Sequence, residues 1–270
     1  MVTIAHETES RGGSQRRVLW LLVRRDLRLR YSGAALGYGW TVLEPLLMTL
    51  VYALVFGVLL PARKIAETPY MLFLVVGVLS WNWFQSALVE GCRSLSGEAK
   101  IVRTANVPRT VWVARTVIAK MLEFIFALPI VVLIIVFYRH PVHWQIVLFP
   151  LGLIMQVVLC YGFGLLLAPL TVIADDVVRI VRIALRVGFY LTPVLYSLNN
   201  LGAADGYGWL AEVAKFTPMA AILTLYRAGL WPQDLYTWPV YVVTSVMTIV
   251  ILLLGRVVFT RLEGTVLKEI

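Results

Sequence analysis

Residues 208–231 read GWLAEVAKFTPMAAILTLYRAGLW, and whether they cross a membrane decides the fold. The stretch is apolar enough for a span but contains Glu212, Lys215, Pro218 and Arg227. Placing a charge at the bilayer centre costs roughly 2.5–3.5 kcal/mol on the insertion scale. A crossing here would also carry Arg256, Arg261 and Lys268 to the outside, against the positive-inside rule. The segment is therefore expected to dip in and return as two short helices broken at Pro218 and shielded by protein. The alternative is an amphipathic hairpin lying on the outer surface.

The rest of the chain is a membrane sequence. Its 270 residues are 60% hydrophobic and 14% charged, with a mean hydropathy of +0.83, whereas soluble domains carry about 25% charged residues. A span needs about 20 apolar residues, and six stretches supply them: 38–60, 70–89, 111–137, 146–173, 180–198 and 238–259. The fifth carries Arg182 and Arg186 in its first turns and is interrupted by Pro193. The fourth holds Gly152, Gly162, Gly164 and Pro169, so a tilt or kink is expected there. Residues 1–15 are polar, without an apolar core or cleavage site, and read as a disordered cytoplasmic tail rather than a signal peptide. Residues 16–270 then form a single transmembrane domain.

Lys and Arg fix the orientation. Eighteen flank the spans on one side: Arg11, Arg16, Arg17, Arg24, Arg25, Arg28 and Arg30, then Arg93, Lys100, Arg103, Arg109 and Arg115, then Arg179, Arg182 and Arg186, then Arg256, Arg261 and Lys268. Five flank the other side, namely Arg63, Lys64, Arg139, Lys215 and Arg227. The bias alternates at every crossing, which places both termini in the cytoplasm. The net charge of +9 sits beside apolar runs, so its partner is the anionic leaflet rather than nucleic acid. Cys92 and Cys160 are assigned to different depths and have no metal-ligand company.

Three regions carry polar groups with a function to explain. In 16–30, Arg17, Arg24 and Arg28 share one helical face opposite Val18, Leu19, Leu22, Val23 and Leu29, while Asp26 stands in i,i+4 reach of Arg30. This is either an interfacial anchor or a basic site for an anionic headgroup. The loop Ser94–Arg109 holds a short amphipathic segment with Glu98, Lys100, Ile101, Val102 and Arg103, which Ser94 or Ser96 is placed to cap. It is either a solvated connector or a docking helix, and 174–179, with Asp175 and Asp176, is its counterpart. Within the spans, Trp81, Asn82, Trp83, Gln85 and Ser86 lie at mid-depth, where polar side chains face the bundle or a water path. Glu44 lies just inside the membrane and needs a partner or water. Lys120 and Glu123, three apart, read as an ion pair.

Several chemistries are absent from the sequence. It has no G-x-x-x-x-G-K-[ST], H-E-x-x-H, C-x-x-C or G-x-S-x-G, so it contains no phosphate-binding loop and none of the familiar hydrolase or zinc motifs. It also lacks the ladder of intramembrane acids that ion-coupled carriers use. Uphill transport by this chain requires energy from a partner.

The order of short motifs resembles a known family. A basic interfacial helix leads into Leu29–Gly33, then Leu36–Trp40 and Glu44–Leu46. Gly77–Asn82, Asn106–Arg109, Asp175–Val177, Tyr190–Tyr196, Thr217–Met219, Leu225–Arg227 and Arg261–Glu263 follow. Together they resemble the permease subunit of ABC exporters for lipid-linked polysaccharides, the Wzm-like and teichoic-acid-exporter group, from about residue 16 onward. Val107 is a departure, since relatives often place an aromatic residue before Pro-Arg. The resemblance implies an all-α integral membrane fold with six transmembrane helices, an N-terminal amphipathic interfacial helix and a re-entrant helical pair between spans five and six. It implies a homodimer in the bacterial inner membrane with two copies of a cytoplasmic ABC ATPase. ATP and Mg would sit on that partner, with no cofactor, metal or catalytic residue in this chain. Coupling to the ATPase would fall to Glu98, Lys100, Ile101, Arg103, Asp175 and Asp176. Arg24, Arg28, Arg30 and Tyr31 would meet the lipid pyrophosphate. Trp81, Asn82, Trp83, Tyr190, Thr192 and Tyr196 would line the channel. Arg outnumbers Lys 19 to 5, a sign of a GC-rich genome that leans the cargo toward a cell-wall galactan over an O-antigen. Three rival readings stand beside this one: an ABC permease for a drug or lipid, a membrane enzyme of lipid-linked sugar metabolism, and a secondary carrier. The third is disfavoured by the missing acids. The second lacks a His cluster, because His6, His140 and His143 do not form one.

Overall fold

A computed structural model describes residues 17–28, 39–55, 67–104, 107–201 and 208–269, and among these residues every regular element is helical. Helix α1 covers 17–28 and α2 covers Trp40–Tyr52. Tyr70–Cys92 forms α3, the short Ala99–Thr104 forms α4, and Thr110–Tyr138 forms α5. A 3-10 turn, Trp144–Leu148, leads into α6, Phe149–Ile173. Then come α7, Asp176–Leu191, α8, Leu198–Leu201, α9, Gly208–Lys215, α10, Pro218–Arg227, and α11, Trp238–Glu269.

Four helical stretches among the described residues are long and apolar enough to cross a membrane: Tyr70–Cys92, Thr110–Tyr138, Trp144–Ile173 and Trp238–Glu269. They match four of the six expected spans. Of the expected first span, the apolar helix Leu43–Val55 is described, and 56–60 lie outside the described residues. The expected fifth span is a helix of 16 residues that stops at Leu191, because Thr192 turns extended and Pro193 has no N–H to continue the ladder. The last helix runs ten residues beyond the expected end at 259. Its extension is held by Val266, which is buried beside Leu95, Val102 and Trp112, and by Glu263, which accepts from Arg109 Nη1 at 2.6 Å.

Helix α3 is the centre of the molecule. In its most apolar window 78% of the residues are buried, against 11% in α5. The core it forms joins Leu72–Leu79 to Phe124 of α5, Leu159 of α6, Phe189 of α7 and Ile222–Tyr226 of α10. Along α6 the glycines act as points of close approach rather than as breaks, since the helix is continuous through Pro169. A Cβ on Gly162 would lie 2.8 Å from the backbone nitrogen of Leu252, and one on Gly255 would overlap the carbonyl oxygen of Gly162. Where lipid is as apolar as leucine, such backbone-to-backbone packing holds helices together.

The 208–231 stretch forms two helices that break at Thr217–Pro218, where Thr217 is extended and Pro218 opens α10. Every residue of Met219–Arg227 is buried. The charge that argued against a crossing, Arg227, is only 1% exposed. Its Nη1 donates to Pro193 O at 2.8 Å, and its Nη2 donates to Val194 O at 2.7 Å and Phe73 O at 3.2 Å. The guanidinium also lies 3.5 Å from the centre of the Phe73 ring. Nearby, Trp231 Nε1 donates to Thr68 O and Tyr70 Oη donates to Leu195 O. One end of the bundle is thus tied together by side chains donating to irregular backbone.

Two substitutions test this packing. Gly255→Leu forces α6 and α11 apart and should cost about 1–3 kcal/mol, as overpacking does. It should appear as a lowered melting temperature of the detergent-solubilised protein. Gly264→Ala, at a position with nothing within 4 Å of the added carbon, should be neutral or slightly stabilising. Equal melting of the two variants would mean that the α6–α11 contact is dispensable.

Candidate functional site

The expected coupling loop is built as a 3-10 turn, Ser96–Glu98, followed by α4. Neither Ser94 nor Ser96 caps it: Leu95 occupies the N-cap position with no side-chain bond, and the Ser94 hydroxyl is buried without a partner. The loop is organised by charge instead. Glu98 Oε1 accepts from Arg25 Nη2 of α1, and Glu98 Oε2 accepts from Arg115 Nη1 of α5 at 3.0 Å. Arg115 Nε lies 3.3 Å from Asp26 Oδ2, and the Arg115 guanidinium lies 4.7 Å from the Trp112 ring. Two acids and two arginines from three separate elements therefore close one network. Burial pushes the Glu98 carboxyl up, but the hydrogen bonds and charges of Arg115 and Arg25 outweigh it and hold it below its ordinary value.

This placement separates the expected coupling residues. Glu98 turns inward to the network and Asp26 lies beside Arg115, whereas the expected Asp26–Arg30 pair rests on Arg30, which lies outside the described residues. On α4, Val102 is buried, whereas Ile101 is 41% exposed and Arg103 is also exposed. The side chain of Lys100 lies outside the described residues. Asp175 and Asp176 are exposed, and Asp176 pairs with Arg179 at 3.2 Å. On α1, Arg17, Arg24 and Arg28 are exposed and Val23 is buried, as an amphipathic helix requires. Tyr31, like Arg30, lies outside the described residues.

The expected channel residues divide as well. Trp81, Asn82 and Tyr190 line a groove of 360 Å³ between α2, α3 and α7, together with Glu44, Met48, Tyr52, Gln85, Arg186 and Phe189. Trp81 is its floor, packed edge-on against Phe189 and donating from Nε1 to Gln85 Oε1 at 3.3 Å. Trp83 points elsewhere and stacks on Phe124 with ring centres 5.0 Å apart. Thr192 is buried at the end of α7. Tyr196 folds back to donate to Tyr190 O and Leu191 O, closing the frayed helix end. Lys120 pairs with Glu123 as expected, at 2.8 Å, and also with Glu90 at 2.8 Å.

Glu44, Gln85 and Arg186, which are 41 and 101 residues apart along the chain, line one groove, a grouping that no local spacing in the sequence signals. The sequence reading also missed the partners of Glu98. The only advance signal was that opposite charges stood on flanks assigned to the same side of the membrane.

Four helices long and apolar enough to cross a membrane, with a polar groove beside one of them, give the chain the form of a membrane transport protein. The profile of the ABC-2 type transporter family matches residues 17–231. The chain therefore belongs to the ABC-2 type transporter membrane family. It is 30% identical over 213 residues to the O-antigen export system permease protein RfbA of Myxococcus xanthus, covering 79% of this chain and 80% of that one. It is 23% identical to an RfbA of Klebsiella pneumoniae, over 91% of this chain and 92% of that one. It is also 24% identical to the capsule polysaccharide export inner-membrane protein CtrC of Neisseria meningitidis, over 92% and 91%.

Glu98→Gln keeps the size of the side chain and removes the charge that two arginines share. It should weaken the hold of the loop on α1 by roughly 1–2 kcal/mol, allowing for the screening that a part-exposed Arg25 permits. Limited proteolysis around residues 17–28 should then accelerate. Acid should act in the same direction. Because the folded carboxyl titrates below its ordinary value, the contact is intact above the ordinary carboxylate range and is lost as pH falls through the lowered one. Proteolysis that depends neither on Glu98 nor on pH would remove the network from the account.

Proposed function

We propose that this chain is the permease subunit of an ATP-driven exporter that moves a lipid-linked polysaccharide from the cytoplasm across the bacterial inner membrane. The observation that carries the reading is the groove between α2, α3 and α7. A surface facing lipid is apolar, whereas this one presents amides, two charges and aromatic faces among apolar helices. Flat aromatic faces let a sugar chain slide without a fixed grip. The names of the relatives, which concern O-antigen and capsule polysaccharide, favour the same cargo class, and the arginine-rich composition leans it toward a cell-wall galactan.

The assembly in this reading is a homodimer with two copies of a cytoplasmic ABC ATPase, which binds ATP and Mg. Ile101, Lys100, Arg103, Asp175 and Asp176 form the surface that meets the ATPase, and Glu98 ties that surface to α1. Arg24 and Arg28, with Arg30 and Tyr31, receive the pyrophosphate. The chain crosses six times with both termini inside, and α9 and α10 form the re-entrant pair. Supporting this, Arg25, Glu98, Arg109, Arg115 and Glu263 gather at one end, while Thr68, Leu195, Arg227 and Trp231 gather at the other.

The test is reconstitution. Proteoliposomes containing both proteins should translocate undecaprenyl-pyrophosphate-linked galactan in an ATP-dependent way, and the permease alone should hydrolyse no ATP. Ile101→Asp should abolish translocation by blocking docking while leaving the chain inserted. Orientation is read separately with Cys92 and Cys160 changed to Ser. A cysteine at Gln233 should react with an impermeant thiol reagent from outside, and one at Thr265 only after permeabilisation. Outside labelling of Thr265 would end the six-crossing scheme, and hydrolysis by the permease alone would end the subunit assignment.

A further inference from the structure

Between Met71 and Cys92, along the most buried of the four long helices, the only exposed side chains are Asn82 and Gln85. Every other residue in that stretch is buried or partly buried. The two are one turn apart and open into the same groove. Across from them stand Glu44 of α2 and Arg186 of α7, both exposed and neither with an ion-pair partner among the described residues. Two opposite charges without an ion-pair partner among the described residues, set between apolar helices, call for water or a polar ligand in the groove. They do not neutralise each other directly, so each keeps its hydrogen-bonding capacity for something placed between them.

The chemistry of the set is specific. Ionised Glu44 only accepts hydrogen bonds, and Arg186 only donates them. Because Gln85 Oε1 accepts from Trp81 Nε1, its amide nitrogen is left as an outward donor, and Asn82 offers both kinds. Tyr190, 60% exposed, adds an aromatic face. At 360 Å³ the groove lies near the lower end of the roughly 300–1,000 Å³ usual for small-ligand sites. A ligand that satisfies all of these groups must donate and accept at neighbouring positions and present an apolar ring face. A sugar ring does so, since each hydroxyl is both donor and acceptor. A phosphodiester is an anion at neutral pH and only accepts hydrogen bonds, so it would suit Arg186 but leave Glu44 without a donor and be repelled by its charge.

Resting on the polysaccharide-export reading, we propose that Glu44, Asn82, Gln85 and Arg186 form a subsite for an uncharged sugar unit of the passing glycan. It selects neutral saccharide backbone rather than the lipid pyrophosphate. Glu44 and Arg186 bind hydroxyls from opposite walls, and the two amides bind from α3.

The experiment uses the permease assembled with its ATPase in nanodiscs. The probes are a neutral galactan hexasaccharide and a glycerol-phosphate hexamer, compared by ligand-detected saturation-transfer NMR, alongside glycan display on cells carrying the same variants. The neutral probe should give the stronger signal. Glu44→Gln combined with Gln85→Ala should lower that signal about tenfold, and Arg186→Gln should do the same, with export falling in step. Intact ATPase assembly shows that these exposed substitutions leave the fold in place. Preference for the phosphate probe, with Glu44→Gln strengthening its binding, would make the groove an anion site and overturn the proposal. So would absence of signal from the neutral probe, or unchanged binding and export in the variants. Failure of the wild-type complex to export any glycan would instead defeat the reading on which the subsite rests.

Discussion

The guanidinium of Arg227 is the interaction on which the architecture turns. Inside a bilayer no water satisfies a broken backbone, so a helix that stops short must have its carbonyls met by protein. Helix α7 stops short at Leu191, because Pro193 cannot continue it, and leaves the carbonyls of Pro193 and Val194 without helical partners. Arg227 reaches both, and Phe73 O of the central helix as well. A charge buried among apolar helices thus becomes the donor that irregular backbone requires. The approach is tight enough to need Gly77, where an added Cβ would overlap Arg227 Nη2 and lie 2.7 Å from Val194 O. With α10 pinned to α3 and to the end of α7, the surrounding loops follow. Ser197 donates to Asp234, and Trp231 and Tyr70 close the remaining carbonyls.

The opposite end is organised by a different physics. There the ties are ion pairs between side chains, Glu98 with Arg25 and Arg115 and Arg109 with Glu263, in a partly solvated setting where each is individually modest. Such a network is easier to rearrange than a buried guanidinium holding three carbonyls. Glu98 joins the α4 loop both to α1 and to the start of α5, so the three elements are tied at this end by one carboxylate. The groove of α2, α3 and α7 lies between the two ends, bounded by helices that answer to both.

What the sequence made legible follows the same division. The long helices were readable because apolar length is a one-dimensional property, and the break at Pro218 because proline acts locally. Lys120 and Glu123 were readable because i,i+3 neighbours meet on any helix. The partners of Glu98 were not, since Arg25 and Arg115 stand 73 and 17 residues away and only packing brings them together. Asp26 likewise lies 3.3 Å from Arg115 of a separate helix, a meeting that no local spacing announces. Among the aromatic candidates, Trp81 and Trp83 are two apart on one helix and so point about 200° apart. One floors the groove and the other stacks on Phe124, a division that helical geometry already implies once either position is known.

The open, mixed polar chemistry of the groove suits the proposed polysaccharide cargo. A site that moves a long repeating polymer has to bind each unit well enough to draw it in and loosely enough to release it, as conduction through a channel requires of an ion. An enclosed pocket with a matched charge pair would stop the chain at its first good fit. Glu44 and Arg186 are both exposed, the amides of Asn82 and Gln85 bind from one wall only, and Tyr190 and Trp81 provide faces rather than clasps. Every contact of this kind is replaceable by water or by the next hydroxyl along the chain. The same features serve a small hydrophobic drug poorly, because it would leave four polar groups facing it without partners.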